Sequence, residues 1–179
     1  PLDLNDPPGW ATQGKIAALR DDPAECRAVL TRSDVAFTTF SPLGEGECLR
    51  ADRLTLDGLP LAAEPQMTCA VGAAVVLLER RLQLIAQEML GTDIARIEHF
   101  GTHSCRRLYG REEGGWSEHA TGNAIDIAGF MLEDGRRIAV LADWTTGGKE
   151  AAFLRRARDE ACGLFGTVLS PLQVGAAIV

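Results

Sequence analysis

The sequence predicts an α+β domain in which an antiparallel sheet packs against helices, with a helical extension at its N-terminal end. Three observations carry that prediction. A long apolar segment, Thr68 to Leu90, starts at a residue able to cap a helix and stops at Gly91. Two β-rich runs, Ala124 to Leu132 and Arg136 to Ala142, flank the turn Glu133-Asp134-Gly135, as a hairpin requires. Lys149 to Phe165 then places Ala152, Phe153, Ala157, Ala161 and Leu164 on one side of a helix.

In chain order, Pro1 to Gly9 is rich in Pro and Asp and reads as an extended arm. Trp10 to Arg32 carries Ile16, Leu19, Cys26, Val29 and Leu30 at helical spacings. Pro23 interrupts that run; a proline inside a helix lacks the N–H and clashes with the preceding turn, so two short helices are expected. Asp34 to Phe40 is rich in β-branched and aromatic residues and reads as a strand, followed by a Gly/Pro loop over Ser41 to Glu47. A looser region to Met67 holds one strand or hairpin around Leu54 to Leu61. Ala70 to Leu78 is apolar nearly all round, the signature of a central buried helix. Ala95 to Phe100 reads as a strand leading into a Gly- and Arg-rich loop, 101 to 116. The division that follows is an N-terminal arm and helical extension over 1–67 packed on a core over 68–179, forming one compact unit.

Composition narrows the function. At 179 residues and 46% hydrophobic the chain can bury a sizeable core. A net charge of −7 and a pI near 5.0 argue against nucleic acid or an anionic membrane as the main partner. The longest apolar run, Cys69 to Leu78, is far short of the roughly 20 residues that span a bilayer. Pro1 is not an initiator methionine, so a processed form with its targeting signal removed is expected. Cys26, Cys48, Cys69, Cys105 and Cys162 are widely spaced with no Cys-x-x-Cys pair, which fits structural disulfides in an oxidising compartment, with at least one thiol left over. The pairing stays open, since any one cysteine can be left out and the other four joined in three ways. Buried reduced cysteines are the alternative.

The chemistry centres on Ser117-Glu118-His119-Ala120-Thr121-Gly122-Asn123-Ala124-Ile125-Asp126-Ile127. It sets an imidazole and a carboxylate seven positions apart, the carboxylate inside an apolar run. An ionised Asp there needs a cation or strong donors, and His with Asp supplies two of the ligands a zinc site takes. The plain alternative is a structural hydrogen-bonded pair.

Around that centre, Ile97-Glu98-His99-Phe100-Gly101, Ser104-Cys105-Arg106, Ala124 to Phe130, Asp143-Trp144, Glu150 to Leu154 and Phe165 to Leu169 resemble, in order, the bacterial extensin-like protein C-terminal domain. Asp6 to Thr12 continues the match at the N-terminal end. The block Ser-x-His-x-x-Gly-x-Ala-x-Asp is also similar to one shared by D-Ala-D-Ala metallopeptidases, lysostaphin-type endopeptidases and the hedgehog signalling domain. The resemblance implies a hedgehog/D-Ala-D-Ala-peptidase-like core, with His119 and Asp126 as zinc ligands. It implies Arg106 as the group that stabilises the oxyanion of the scissile carbonyl or binds a carboxylate, and Ser117 as a substrate contact.

The third ligand and an acidic general base belong, in that family, to a C-terminal segment with His-x-His. This chain has only His99, His103 and His119. The resemblance therefore places the missing ligand in a segment absent between Pro171 and Leu172, with Leu172 to Val179 as the strand expected after it. Other readings stand beside these. His99 and His103 serve as surface or packing residues, with His103 as a substitute ligand; Cys105 and His119 form a nucleophilic pair, against a disulfide role for Cys105; Arg106, Arg107 and Arg111 form a solvated basic loop. Two functions are expected from the whole: a zinc-dependent peptidase-like domain that acts on or binds peptidoglycan peptide in the periplasm or cell envelope, or a non-catalytic metal-containing envelope module.

Overall fold

A computed structural model describes residues 1–174. The N-terminal arm forms no helix or strand, but it is strapped down: Leu2 and Leu4 are buried, Leu4 donates its N–H to Ser33 Oγ at 2.9 Å, and Arg80 donates to the Leu4 carbonyl. Helices α1 (Thr12–Ala18) and α2 (Pro23–Arg32) follow, separated by the 3₁₀ turn Leu19–Asp21. The break falls at Pro23, where Asp22 caps α2 by accepting the Glu25 N–H at 3.0 Å. Strands β1 (Phe37–Phe40) and β2 (Arg53–Leu56) form an antiparallel ribbon in the register Phe37 to Leu56.

Helix α3 (Cys69–Leu90) is the axis of the molecule. Thr68 Oγ1 accepts the Val71 N–H at 3.4 Å, and Gly91 closes the helix at φ 72°, where a side chain would be strained. Every residue from Cys69 to Leu78 is buried; beyond it only the face bearing Leu82, Ile85, Ala86 and Leu90 is covered. The second sheet is antiparallel in the order β3 (Ile94–His99), β4 (Ile127–Leu132), β5 (Arg137–Ala139). A Cβ on Gly129 of β4 would lie 2.6 Å from the Ile138 carbonyl, so only glycine permits that strand spacing. The chain ends in α4 (Val140–Asp143), α5 (Gly148–Cys162), which packs along α3, and the short α6 (Pro171–Val174). The fold is α+β, with both sheets antiparallel and one buried apolar cluster running from Leu2 to Leu164.

The strand expected from Asp34 opens only at Phe37, the helix expected to Phe165 closes at Cys162, and three further segments differ more. The strand expected from Ala124 starts only at Ile127, because the β3–β4 register shifts at Glu98/His99; Asp126 still exchanges backbone bonds with Phe100 (2.8 Å) and Gly101 (3.1 Å) beyond the bulge. The strand expected to Ala142 turns helical at Val140, because the Asp143 carboxylate reaches back to the Ala139 N–H at 2.7 Å. The strand expected over Leu172 to Val179 is helical to Val174, fixed by reciprocal bonds between Ser170 and Gln173, each 2.8 Å, and its remainder lies outside the described residues.

Four cysteines pair as Cys26–Cys69 and Cys48–Cys105, and Cys162 is an exposed thiol. The first bond joins α2 to the start of α3. The second joins the loop after β1 to the loop after β3, which sets aside the reduced-cysteine alternative for these four.

Between α3 and α5, Arg81 donates to both oxygens of Glu160 at 3.1 and 3.2 Å, and Arg156 adds a third bond at 3.2 Å. The hydrogen bonds from Arg81 hold the Glu160 carboxyl below its ordinary 4.5. A depressed carboxyl stabilises the fold above that value and loses its contribution as pH falls through the lowered one. Glu160→Gln is therefore expected to cost about 1 kcal/mol at pH 7, discounted for solvent screening, and less at pH 3, below the carboxyl's ordinary value. Urea titrations at both pH values check this; an equal cost at both would show that packing, not charge, matters there.

Candidate functional site

Ser117 opens the 3₁₀ turn Glu118–Thr121 by accepting the His119 N–H on its Oγ at 3.3 Å. Gly122 ends the turn at φ 74°; the space around it is ordinary, so the backbone angle is what calls for glycine. The motif is then tied to the start of α3, as Thr68 donates its N–H to the Gly122 carbonyl at 3.1 Å and its hydroxyl to Asn123 Oδ1 at 2.9 Å. On the other side, Ser104 donates to the His119 carbonyl at 3.0 Å.

These ties bury His119 to 5% exposure and point it at Asp126. Its Nδ1 lies 3.2 Å from the Thr102 carbonyl, an acceptor, so the ring proton sits on Nδ1 and Nε2 carries a bare lone pair. Nε2 is 3.3 Å from Asp126 Oδ1, yet the angle is not that of a hydrogen bond, and Nε2 is a buried atom without a partner. With neutral His119, two acceptors face each other at that distance. Such an arrangement calls for a cation between or beside them: a second ring proton, or a metal ion held by both. A carbonyl fixing the far nitrogen is also the arrangement that orients a ligating histidine. The donor pair thus fits a zinc ion as two ligands; among the described residues no group of three His, Cys, Asp or Glu side chains is gathered to hold one.

The other predicted residues are placed as follows. Arg106 is exposed; its carbonyl accepts the Ser117 N–H at 3.1 Å, and its side chain makes no hydrogen bond or ion pair among the described residues. Ser117 uses its hydroxyl on the cap. Cys105 is bonded to Cys48, which removes the Cys105–His119 nucleophilic pair. His99 is a structural tie: its Nε2 donates to the Ala62 carbonyl, and its Nδ1 accepts the Gly101 N–H at 3.0 Å. His103 is exposed, and partial desolvation followed by the nearby charge of Arg50 lowers its pKa, so it is neutral at pH 7.

Two residues of the site were not legible in the sequence. Thr102 is buried, donates its hydroxyl to the Gln66 carbonyl at 2.6 Å, and thereby fixes the carbonyl that sets the His119 tautomer. Its function lies in the backbone, which no residue pattern announces. Arg50 sits beside the motif, its Cδ 3.7 Å from where a Cβ on Gly122 would stand. It lines a cavity of about 440 Å³ together with His103, Trp116 and the Cys48–Cys105 bond.

The profile of the family described as "Extensin-like protein C-terminus" matches residues 24–175, most of the chain. No curated protein and no solved structure gives a significant match.

Proposed function

We propose a function from one premise: this chain belongs to the extensin-like protein C-terminal family. The domain is a zinc-dependent peptidase-like module that acts on or binds the peptide of bacterial peptidoglycan, with a core related to those of the D-Ala-D-Ala metallopeptidases. The observation that carries this reading is the acceptor pair: His119 Nε2, buried and unpartnered, 3.3 Å from Asp126 Oδ1. His119 and Asp126 would hold the metal, and the third ligand and general base would come from a further segment. Zinc bound there would polarise a peptide carbonyl and lower the pKa of a bound water. Within the chain, Thr102 holds the imidazole in the ligating tautomer, the Ser117 cap fixes the turn, and Arg106, on the exposed loop, is the candidate for stabilising negative charge on the substrate. Two disulfides support an exported, envelope location.

The second reading, a non-catalytic envelope module, draws on a different observation. Only two protein donors meet at the site among the described residues, and catalytic zinc takes three.

Asp126→Asn discriminates. It keeps the shape of Asp126 but removes the carboxylate charge that faces the unpartnered Nε2, so stability is expected to hold or rise by up to about 1 kcal/mol. Zinc affinity, read by titration with a competing chelator, is expected to fall at least about tenfold. Zinc binding without cleavage of any muropeptide would leave the module reading. No zinc binding by the wild type would sink the metal site and leave His119 and Asp126 a structural pair.

A further inference from the structure

The cavity beside the motif contains charges that the zinc reading does not use. Arg50, Glu45 and Glu47 line it together, and among the described residues none of their side chains enters an ion pair or a hydrogen bond. Opposite charges that share a cavity would normally close on one another. Here they stand apart, on a loop whose backbone is tightly constrained.

Leu43 and Arg50 exchange both backbone bonds (3.2 and 2.9 Å), closing residues 43 to 50 into a loop. Gly44, at φ 94°, lets that loop pack so tightly that a Cβ would lie 2.5 Å from the Cys48 carbonyl. The Cys48–Cys105 bond then pins the loop to the segment that carries His103. The turn Gly46–Cys48 packs on the turn Glu118–Thr121, so the cavity adjoins the turn that carries His119. One wall is Trp116, whose ring carries the Arg107 guanidinium at 4.5 Å. Burial and the nearby charge of Arg53 lower the pKa of Arg50, as expected for a cation lacking its counter-ion.

We propose that this cavity is a recognition subsite for a zwitterionic amino-acid end group on a peptide, with Arg50 taking its carboxylate, Glu45 and Glu47 its ammonium, and Trp116 packing on its aliphatic stem. A purely anionic ligand would meet two glutamates, and a purely cationic one would meet Arg50. A ligand bearing both charges satisfies all three without moving the loop. The volume suits a single amino-acid side chain and its solvent rather than a protein segment. The assignment rests on the reading of the domain as one that takes wall peptide, and does not require that it cleave one.

Calorimetric titration with three otherwise identical alanyl-γ-glutamyl tripeptides tests it. The third residue is diaminopimelate (both charges at its end), lysine (ammonium only) or 2-aminopimelate (carboxylate only). The diaminopimelate peptide is expected to bind at least tenfold more tightly than either of the others. Arg50→Met should erase its advantage over the lysine peptide. Glu45→Gln with Glu47→Gln should erase its advantage over the aminopimelate peptide. Equal binding of the three peptides, no binding of any, or a ranking unchanged in both pocket variants overturns the subsite. Ranked binding without cleavage overturns only the catalytic reading.

Discussion

A protein lacking the Cys26–Cys69 bond, made by replacing both cysteines with alanine, is expected to unfold about 4 kcal/mol more easily than the wild type. The estimate comes from the 43-residue separation that the bond closes, whose loop entropy the unfolded chain regains when the link is removed. Both sulfurs are fully buried where α2 meets the first turn of α3, so a small cavity adds to the loss. At this chain length the melting midpoint should drop by roughly 8–16 °C. Urea unfolding under non-reducing conditions measures it. A loss below about 1 kcal/mol would show that the unfolded chain already holds those segments together. The Cys48–Cys105 bond separates residues 57 apart, but Cys105 is exposed, so mild reductant should open that bond first.

Phe153→Ala is expected to cost about 3–5 kcal/mol, the usual range for deleting a buried aromatic ring. Phe153 projects from α5, is fully buried, and meets Phe130 of β4 edge-to-face at 5.2 Å between ring centroids. It is where the last long helix locks onto the three-stranded sheet. A double-mutant cycle with Phe130→Leu should return about 0.5–1.5 kcal/mol of coupling beyond the area buried. Additive single costs would mean that the rings are only neighbours.

The sequence foretold best what local chemistry decides. Thr68 and Gly91 bound α3 because a hydroxyl and a positive φ act on their own neighbours, and Pro23 splits the N-terminal helices for the same reason. Strand ends were less legible. Ile127 and Ala139 become the limits of β4 and β5 through a bulge opposite β3 and a carboxylate four residues on, and neither is visible in a hydrophobic pattern. At the site, His119 and Asp126 stood out because a buried charge is costly wherever it falls. Thr102 acts through its carbonyl, and Arg50 reaches the motif only through the folding of a distant loop, so neither could be picked out by spacing. The disulfide pairing depended on the same long-range geometry.

The two crosslinks interleave along the chain: Cys48 lies inside the loop closed by Cys26 and Cys69, and Cys105 lies outside it. Cys26 and Cys48, or Cys48 and Cys69, are nearer in sequence than either native pair, so random closure favours the wrong partners. A newly made chain that oxidises before α3 docks is caught in one of these shorter rings and can leave only by thiol exchange. Cys162, exposed at the end of α5, is the thiol left outside both bonds among the described residues. Assembly of this small domain is therefore a kinetic problem as much as a thermodynamic one, and its yield should depend on how fast an isomerase can reshuffle the first bonds that form.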